Sequence, residues 1–231
     1  MLKTILNINN IPAALWGAPA DRLIIAVHGM LGSKDDFDLL AEIAGAKGFQ
    51  VLSFDLPEHG GRKNEGCACN PPNAVKDLMA VMHHAQTLSD RISLYACSLG
   101  AWFSLLAYQD TSLEQCLFQS PVVDMPRLIK NMMKAAGVRE ERLQAEKLIA
   151  NPYGPPLEWE YYHFAKTHPI DKWGHPTAIL MGAEDETSEV DVVKGFAARF
   201  NAGLALLEGS RHYLHTENEI AEIRKWLNNN F

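Results

Sequence analysis

Ile92-Ser93-Leu94-Tyr95-Ala96-Cys97-Ser98-Leu99-Gly100 is the stretch whose reading decides the fold. It opens on strand formers. Past it, Ala101-Trp102-Phe103-Ser104-Leu105-Leu106-Ala107-Tyr108 is apolar at helical spacing. Ser98 therefore stands on a sharp turn from strand to helix, which pushes its hydroxyl out of the fold. Such a turn crowds the backbone, so the residues two before and two after the serine must be small. Ala96 and Gly100 meet that demand. Taken alone, the serine could also be an ordinary helix N-cap, and the rest of the chain has to decide between the two.

Working outward, apolar runs of strand length alternate with amphipathic stretches of helix length. Leu23-Ile24-Ile25-Ala26-Val27 predicts a strand buried on both faces, and Val51-Leu52-Ser53-Phe54 the next. Ser33 is a candidate cap for a helix through Phe37–Ile43 to Gly48. Asn73 is a candidate cap for a helix from Ala74 to Leu88, with Val75, Leu78, Met79, Met82 and Ala85 at helical period. Downstream, Cys116-Leu117-Phe118, Thr177–Met181 and Leu204–Leu207 read as strands, and Val190–Phe200 and Glu217–Leu227 as helices. Strand and helix alternating in this way predicts an α/β fold, a mostly parallel sheet with helices on both faces.

One region breaks the alternation. From about Val122 to Trp173 no strand is expected. Helical stretches lie around Leu128–Met133 and Glu140–Ile149, followed by the turn cluster Asn151-Pro152-Tyr153-Gly154-Pro155-Pro156 and by Trp159, Tyr161, Tyr162 and Phe164. The expectation is one domain over 1–231 with a helical insertion at about 122–173.

Composition sets the outer bounds. At 231 residues, 47% hydrophobic and 21% charged, the chain suits a single globular core. Its formal charge, 21 − 28 = −7, argues against a nucleic-acid partner. No apolar run approaches the roughly 20 residues of a membrane span, and the N-terminus carries no signal-peptide pattern. Cys67, Cys69, Cys97 and Cys116 lack zinc-site spacing. They read as reduced thiols of a cytoplasmic protein. Cys97 leaves the turn in another direction from Ser98 and is expected to neighbour the chemistry without joining it.

A serine hydroxyl is a weak nucleophile. It needs a base, a group to orient that base, and donors for the oxyanion that forms. His212 follows the predicted strand Leu204–Leu207, and Asp185 follows the one ending at Met181. In a parallel sheet these strand ends share one edge, so residues far apart in sequence converge there. The order serine, acid, histidine suits this fold class. The N–H groups of Leu99 and Met30, the latter in His28-Gly29-Met30-Leu31-Gly32, are the candidate oxyanion donors. His215 rivals His212, while Glu184, Glu186 and Asp124 rival Asp185. His28 is expected to tie its loop together. His59 either lines the pocket or braces a turn, and His83 and His84 are expected in solvent. The aromatic cluster at 159–164 lines a pocket or forms the insertion's own small core.

Together these residues resemble the α/β-hydrolase superfamily. His28-Gly29-Met30-Leu31-Gly32-Ser33 is similar to the oxyanion loop of small esterases and lipases. Asp55-Leu56-Pro57-Glu58-His59-Gly60 is similar to the loop after the next strand, and Ala96-Cys97-Ser98-Leu99-Gly100 to the nucleophile turn, with Ala96 where glycine is usual. The resemblance spans nearly the whole chain, and 122–173 falls where that superfamily places a cap. It implies a serine hydrolase of a small-molecule ester or thioester, working through an acyl-enzyme without metal or cofactor. A carbon–carbon bond hydrolase or an amidase on the same fold, and a non-catalytic binding protein of the same fold, are the alternatives.

Overall fold

The structure, a computed structural model, describes residues 2–231. Ten strands and eight α-helices follow one another as β1 (Lys3–Ile8), β2 (Ile11–Trp16), β3 (Arg22–Val27), α1 (Asp38–Ala46), β4 (Phe49–Phe54), α2 (Pro71–Gln86), β5 (Arg91–Cys97), α3 (Leu99–Tyr108), β6 (Cys116–Gln119), α4 (Met125–Ala135), α5 (Glu140–Glu146), β7 (Leu148–Ile149), β8 (Leu157–Glu158), α6 (Trp159–Thr167), β9 (Thr177–Gly182), α7 (Val190–Phe200), β10 (Gly203–Leu207) and α8 (Glu217–Asn230). Eight strands form one sheet in the order β1-β2-β4-β3-β5-β6-β9-β10. From β4 to β10 every pairing is parallel, while β1–β2 and β2–β4 are antiparallel.

The sheet is covered on both faces, which is why its central strands are apolar throughout. One face carries α2, α3 and α7, whose Leu78, Val81, Phe103, Leu105 and Phe196 pack on Ile25, Leu52, Leu94 and Phe118. The other carries α1 and α8, with Leu40, Ile43, Ile223 and Trp226 against Ile24, Val51 and Leu180. Strand order reverses beside β3: the chain steps outward to β4, then crosses back to β5 on β3's other side. The ends of β3 and β5 flank this switch point, the usual crevice of an open α/β sheet.

Several elements differ from the sequence reading. β1 and β2 went unread because their turn is Asn9-Asn10, without the usual glycine. Both asparagines adopt left-handed φ, 50° and 70°, as a type I′ hairpin turn requires. Asn70, three residues before Asn73, caps α2: its side chain accepts the Asn73 N–H at 3.0 Å, and Pro71 and Pro72 occupy the first turn. Ser33 caps no helix. It closes a short loop through Asp36, and α1 starts only at Asp38. α5 stops at Glu146 because Lys147 turns left-handed at φ 66°. Leu148–Ile149 then pairs with Leu157–Glu158, so the segment between β6 and β9 does contain a strand pair, though only two residues long.

Candidate active site

Ser98 sits between β5 and α3 at φ 47°, ψ −117°. A non-glycine residue held there is strained by roughly 1–3 kcal/mol, and three neighbours impose it. The Ser98 N–H donates to the Gln119 carbonyl at 3.1 Å, and the Ser98 carbonyl accepts the N–H groups of Ala101 and Val122, each at 3.1 Å. Gly100 is required by close approach, because a Cβ there would stand 2.4 Å from the His28 carbonyl oxygen. The loop after β3 thereby lies directly against the turn.

The hydroxyl does not cap α3. It donates to His212 Nε2 at 2.8 Å, and His212 Nδ1–H donates to Asp185 Oδ2 at 2.8 Å. Asp185 is 4% exposed. Its other oxygen, Oδ1, accepts the N–H groups of Thr187 and Ser188 at 2.9 and 2.8 Å. The turn after β9 therefore fixes which carboxylate oxygen faces the histidine. Gly182 admits the histidine loop: a Cβ there would lie 2.2 Å from the Ser210 carbonyl oxygen. The arrangement is a proton path from hydroxyl to imidazole, with a carboxylate holding the tautomer.

The rivals are accounted for elsewhere. His215 Nδ1–H donates to the Tyr213 carbonyl at 2.9 Å, and Asp124 caps α4 by accepting the Arg127 N–H at 2.9 Å. Glu184 and Glu186 are exposed. Burial pushes the Cys97 thiol up to about 12, which keeps it protonated and unreactive beside Ser98.

Met30 lies on the loop after β3 and Leu99 opens α3, the two segments that meet at Ser98. Neither backbone N–H donates to another group among the described residues. A Cβ at Gly29 would approach the Ser98 Cβ to 3.1 Å, a measure of how closely the loop is applied. His28 holds the loop's near end, its Nδ1–H donating to the Gly29 carbonyl at 2.7 Å and its Nε2 accepting the Leu56 N–H at 3.0 Å. Asp55, fully buried, holds the far end. Its Oδ1 accepts the Lys34 N–H at 2.7 Å, its Oδ2 accepts the Gly61 N–H at 2.9 Å, and the Lys34 ammonium lies 3.4 Å from Oδ2. His59 braces the same turn, donating to the Pro57 carbonyl at 2.7 Å. The sequence reading quoted Asp55 without a role. The Thr187 and Ser188 N–H groups escaped it altogether, because backbone donors leave no mark in residue type.

Burial lowers the His28 pKa from 6.5 to about 4. Its neutral ring, bonded at both nitrogens, is a native-state requirement. The unfolded chain binds a proton there below about pH 6.5 and the native state only below about 4. Stability is thus complete above that window and falls as pH drops through it, by about 3 kcal/mol in all. Urea midpoints measured from pH 7.5 to 4 should decline, and His28→Asn should remove about that much of the slope. An identical slope in the variant would show that other groups carry it.

Between β6 and β9, Tyr161 stacks on Trp102 at 5.7 Å, and Tyr162, fully buried, donates to Glu140 Oε2 at 3.0 Å. Trp159 packs on Tyr162 and His163. The cluster is largely the segment's own core. Arg127 and Asn131 of α4 bind Glu189, at the head of α7, at 2.7 and 2.9 Å. This ties the segment to the Asp185 turn.

No protein-family model matches the chain. A monoglyceride lipase homologue from monkeypox virus is 25% identical, over 90% of this chain and 89% of its own length. Among solved structures, Est1E from Butyrivibrio proteoclasticus with ferulic acid bound superposes with a TM-score of 0.81 at 18% identity, covering 98% of this chain and 97% of its own. Mouse alpha/beta hydrolase domain-containing protein 10 does so with a TM-score of 0.77 at 15% identity, covering 100% and 98%. The monoacylglycerol lipase of Paleococcus ferrophilus gives 0.68 at 16%, covering 96% and 99%.

Proposed function

We propose, from the premise that this chain has the α/β-hydrolase fold, that it is a serine hydrolase of small-molecule carboxylic esters or thioesters. One observation carries the reading: His212 lies 2.8 Å from both the Ser98 hydroxyl and the buried Asp185 carboxylate. Fold alone would not support it.

Ser98 Oγ attacks the substrate carbonyl as its proton passes to His212 Nε2. The oxygen that becomes negative is held by the N–H groups of Leu99 and Met30. Asp185 stabilises the imidazolium that forms and keeps the ring oriented. The tetrahedral intermediate collapses, the carbonyl–leaving-group bond breaks, and His212 gives its proton to the departing oxygen or sulfur. Water then loses a proton to His212, attacks the acyl-enzyme and releases the acid. The segment 122–173 caps the site and selects the substrate. Four free cysteines suit a reducing, cytoplasmic setting.

A fluorophosphonate probe tests this directly. The expected result is one label per chain on the peptide containing Ser98, absent from Ser98→Ala, with turnover of activated esters or thioesters exceeding that of matched amides and diketones. A wild-type chain that takes no label and cleaves no ester would be a binding protein of the same fold.

A further inference from the structure

Of the two candidate oxyanion donors, Leu99 is carried by a helix and Met30 is not. Met30 lies in a turn closed by the Gly32 N–H donating to the Gly29 carbonyl at 3.1 Å. Leu31, at the third position of that turn, has φ 66° and is 89% exposed. A type II turn favours glycine there, because a side chain at left-handed φ crowds its own backbone. So exposed a side chain has little packing to offset that strain. Returning Leu31 to negative φ would require a compensating rotation at Met30, and the donor would move. The conformation has to be held from outside the turn.

One anchor is the Lys34 N–H on Asp55. The Lys34 carbonyl has another. It accepts the Ser53 hydroxyl at 2.7 Å, and Ser53 Oγ accepts the Trp16 indole N–H at 2.9 Å. Ser53, on β4, is fully buried, and so is Trp16, the last residue of β2. The hydroxyl has a single proton to give. Its other acceptor, the Ala14 carbonyl, stands further off at 3.4 Å, so the shorter contact to Lys34 takes it.

A second tie lies nearer solvent. Lys3 of β1, the strand partner of Trp16, places its ammonium 3.8 Å from the Trp16 ring centre and 2.7 Å from Asp35 Oδ1. An ion pair so exposed adds little, and the buried serine is the stronger link.

We propose that the N-terminal hairpin, β1 and β2, clamps the oxyanion loop, with Ser53 as the positioning residue that carries the hold from Trp16 through Lys34 to the strained turn at Met30. This rests on the hydrolase reading. The hairpin stands at one edge of the sheet and acts through Lys34, not on the reacting atoms.

The test is Ser53→Ala, which leaves the Trp16 N–H and the Lys34 carbonyl without their buried partner. A misdirected oxyanion donor is missed chiefly in the transition state. On p-nitrophenyl acetate kcat should therefore fall about tenfold, part of the roughly 10²–10³-fold cost of losing such a donor outright, while KM stays within about twofold. Leu31→Gly added to Ser53→Ala removes the strain that the clamp opposes and should restore most of the loss. Leu31→Val raises the strain at a solvent-facing position without touching the core, and should by itself lower kcat about threefold. It carries the test if melting shows that Ser53→Ala does not fold, and an unchanged kcat there would count against the clamp. Amide exchange at Gly32 and Lys34 reads the loop without turnover and should quicken at least about tenfold in Ser53→Ala. A folded Ser53→Ala with unchanged kcat, a loss confined to KM, or a loss that Leu31→Gly deepens would overturn the clamp and leave the hydrolase reading standing. If wild type takes no fluorophosphonate label and cleaves no ester, the hydrolase reading fails. Exchange then decides alone: faster in the variant, the hairpin holds the loop; unchanged, it does not.

Discussion

Ser98→Ala is expected to lower kcat on activated esters by roughly 10⁴–10⁶-fold, the range seen when such a nucleophile is removed. In the proposed mechanism the substitution deletes the attacking atom, which is also the one hydroxyl bonded to His212 Nε2 among the described residues. It leaves the Leu99 and Met30 donors in place, so a residual acceleration over water persists. Stability should change little. Alanine meets the same positive φ as serine, and the backbone bonds to Gln119, Ala101 and Val122 do not involve the side chain. Steady-state turnover on p-nitrophenyl acetate, with melting temperature as the folding control, measures both. Turnover within tenfold of wild type in the folded variant would remove Ser98 from the reaction.

Asp185→Asn has the second-largest expected effect, a loss of about 10⁴-fold in kcat. The argument comes from the other oxygen of the carboxylate. Oδ1 accepts two backbone N–H groups, from Thr187 and Ser188. An asparagine there must keep its oxygen toward those donors, which turns its NH₂ toward His212 Nδ1. The ring then has to accept at Nδ1 and carry its proton on Nε2, the tautomer unable to take the serine proton. The exposed Glu184 and Glu186 stand outside this arrangement. Turnover of Asp185→Asn alongside Asp185→Ala measures the effect. A loss smaller than 100-fold in the asparagine variant would show that the carboxylate does not set the tautomer.

The convergence of Ser98, Asp185 and His212 was legible because each follows an apolar run. A parallel sheet brings such positions to one edge whatever their separation in sequence. Asp124 competed with Asp185 by its position, after the strand that precedes the 122–173 segment, and the fold shows it capping α4. The N-terminal hairpin was unread because Pro12 argues against a strand interior and Asn9-Asn10 is an uncommon turn. The end of α5 depends on Lys147 turning left-handed, which residue type does not announce. Asp55 was visible as a letter but not as an anchor, since its partners are backbone N–H groups brought in by folding.

β6 and β9 are parallel neighbours, and the chain between them must cross from one end of the sheet to the other. A dozen or so residues and a helix suffice for that task. The stretch 120–176 is several times longer. The surplus holds α4, α5, α6 and the β7–β8 pair, none of which belongs to the eight-stranded sheet. That surplus therefore lies outside the hydrogen bonding of the main sheet, and joining two strands does not account for its length.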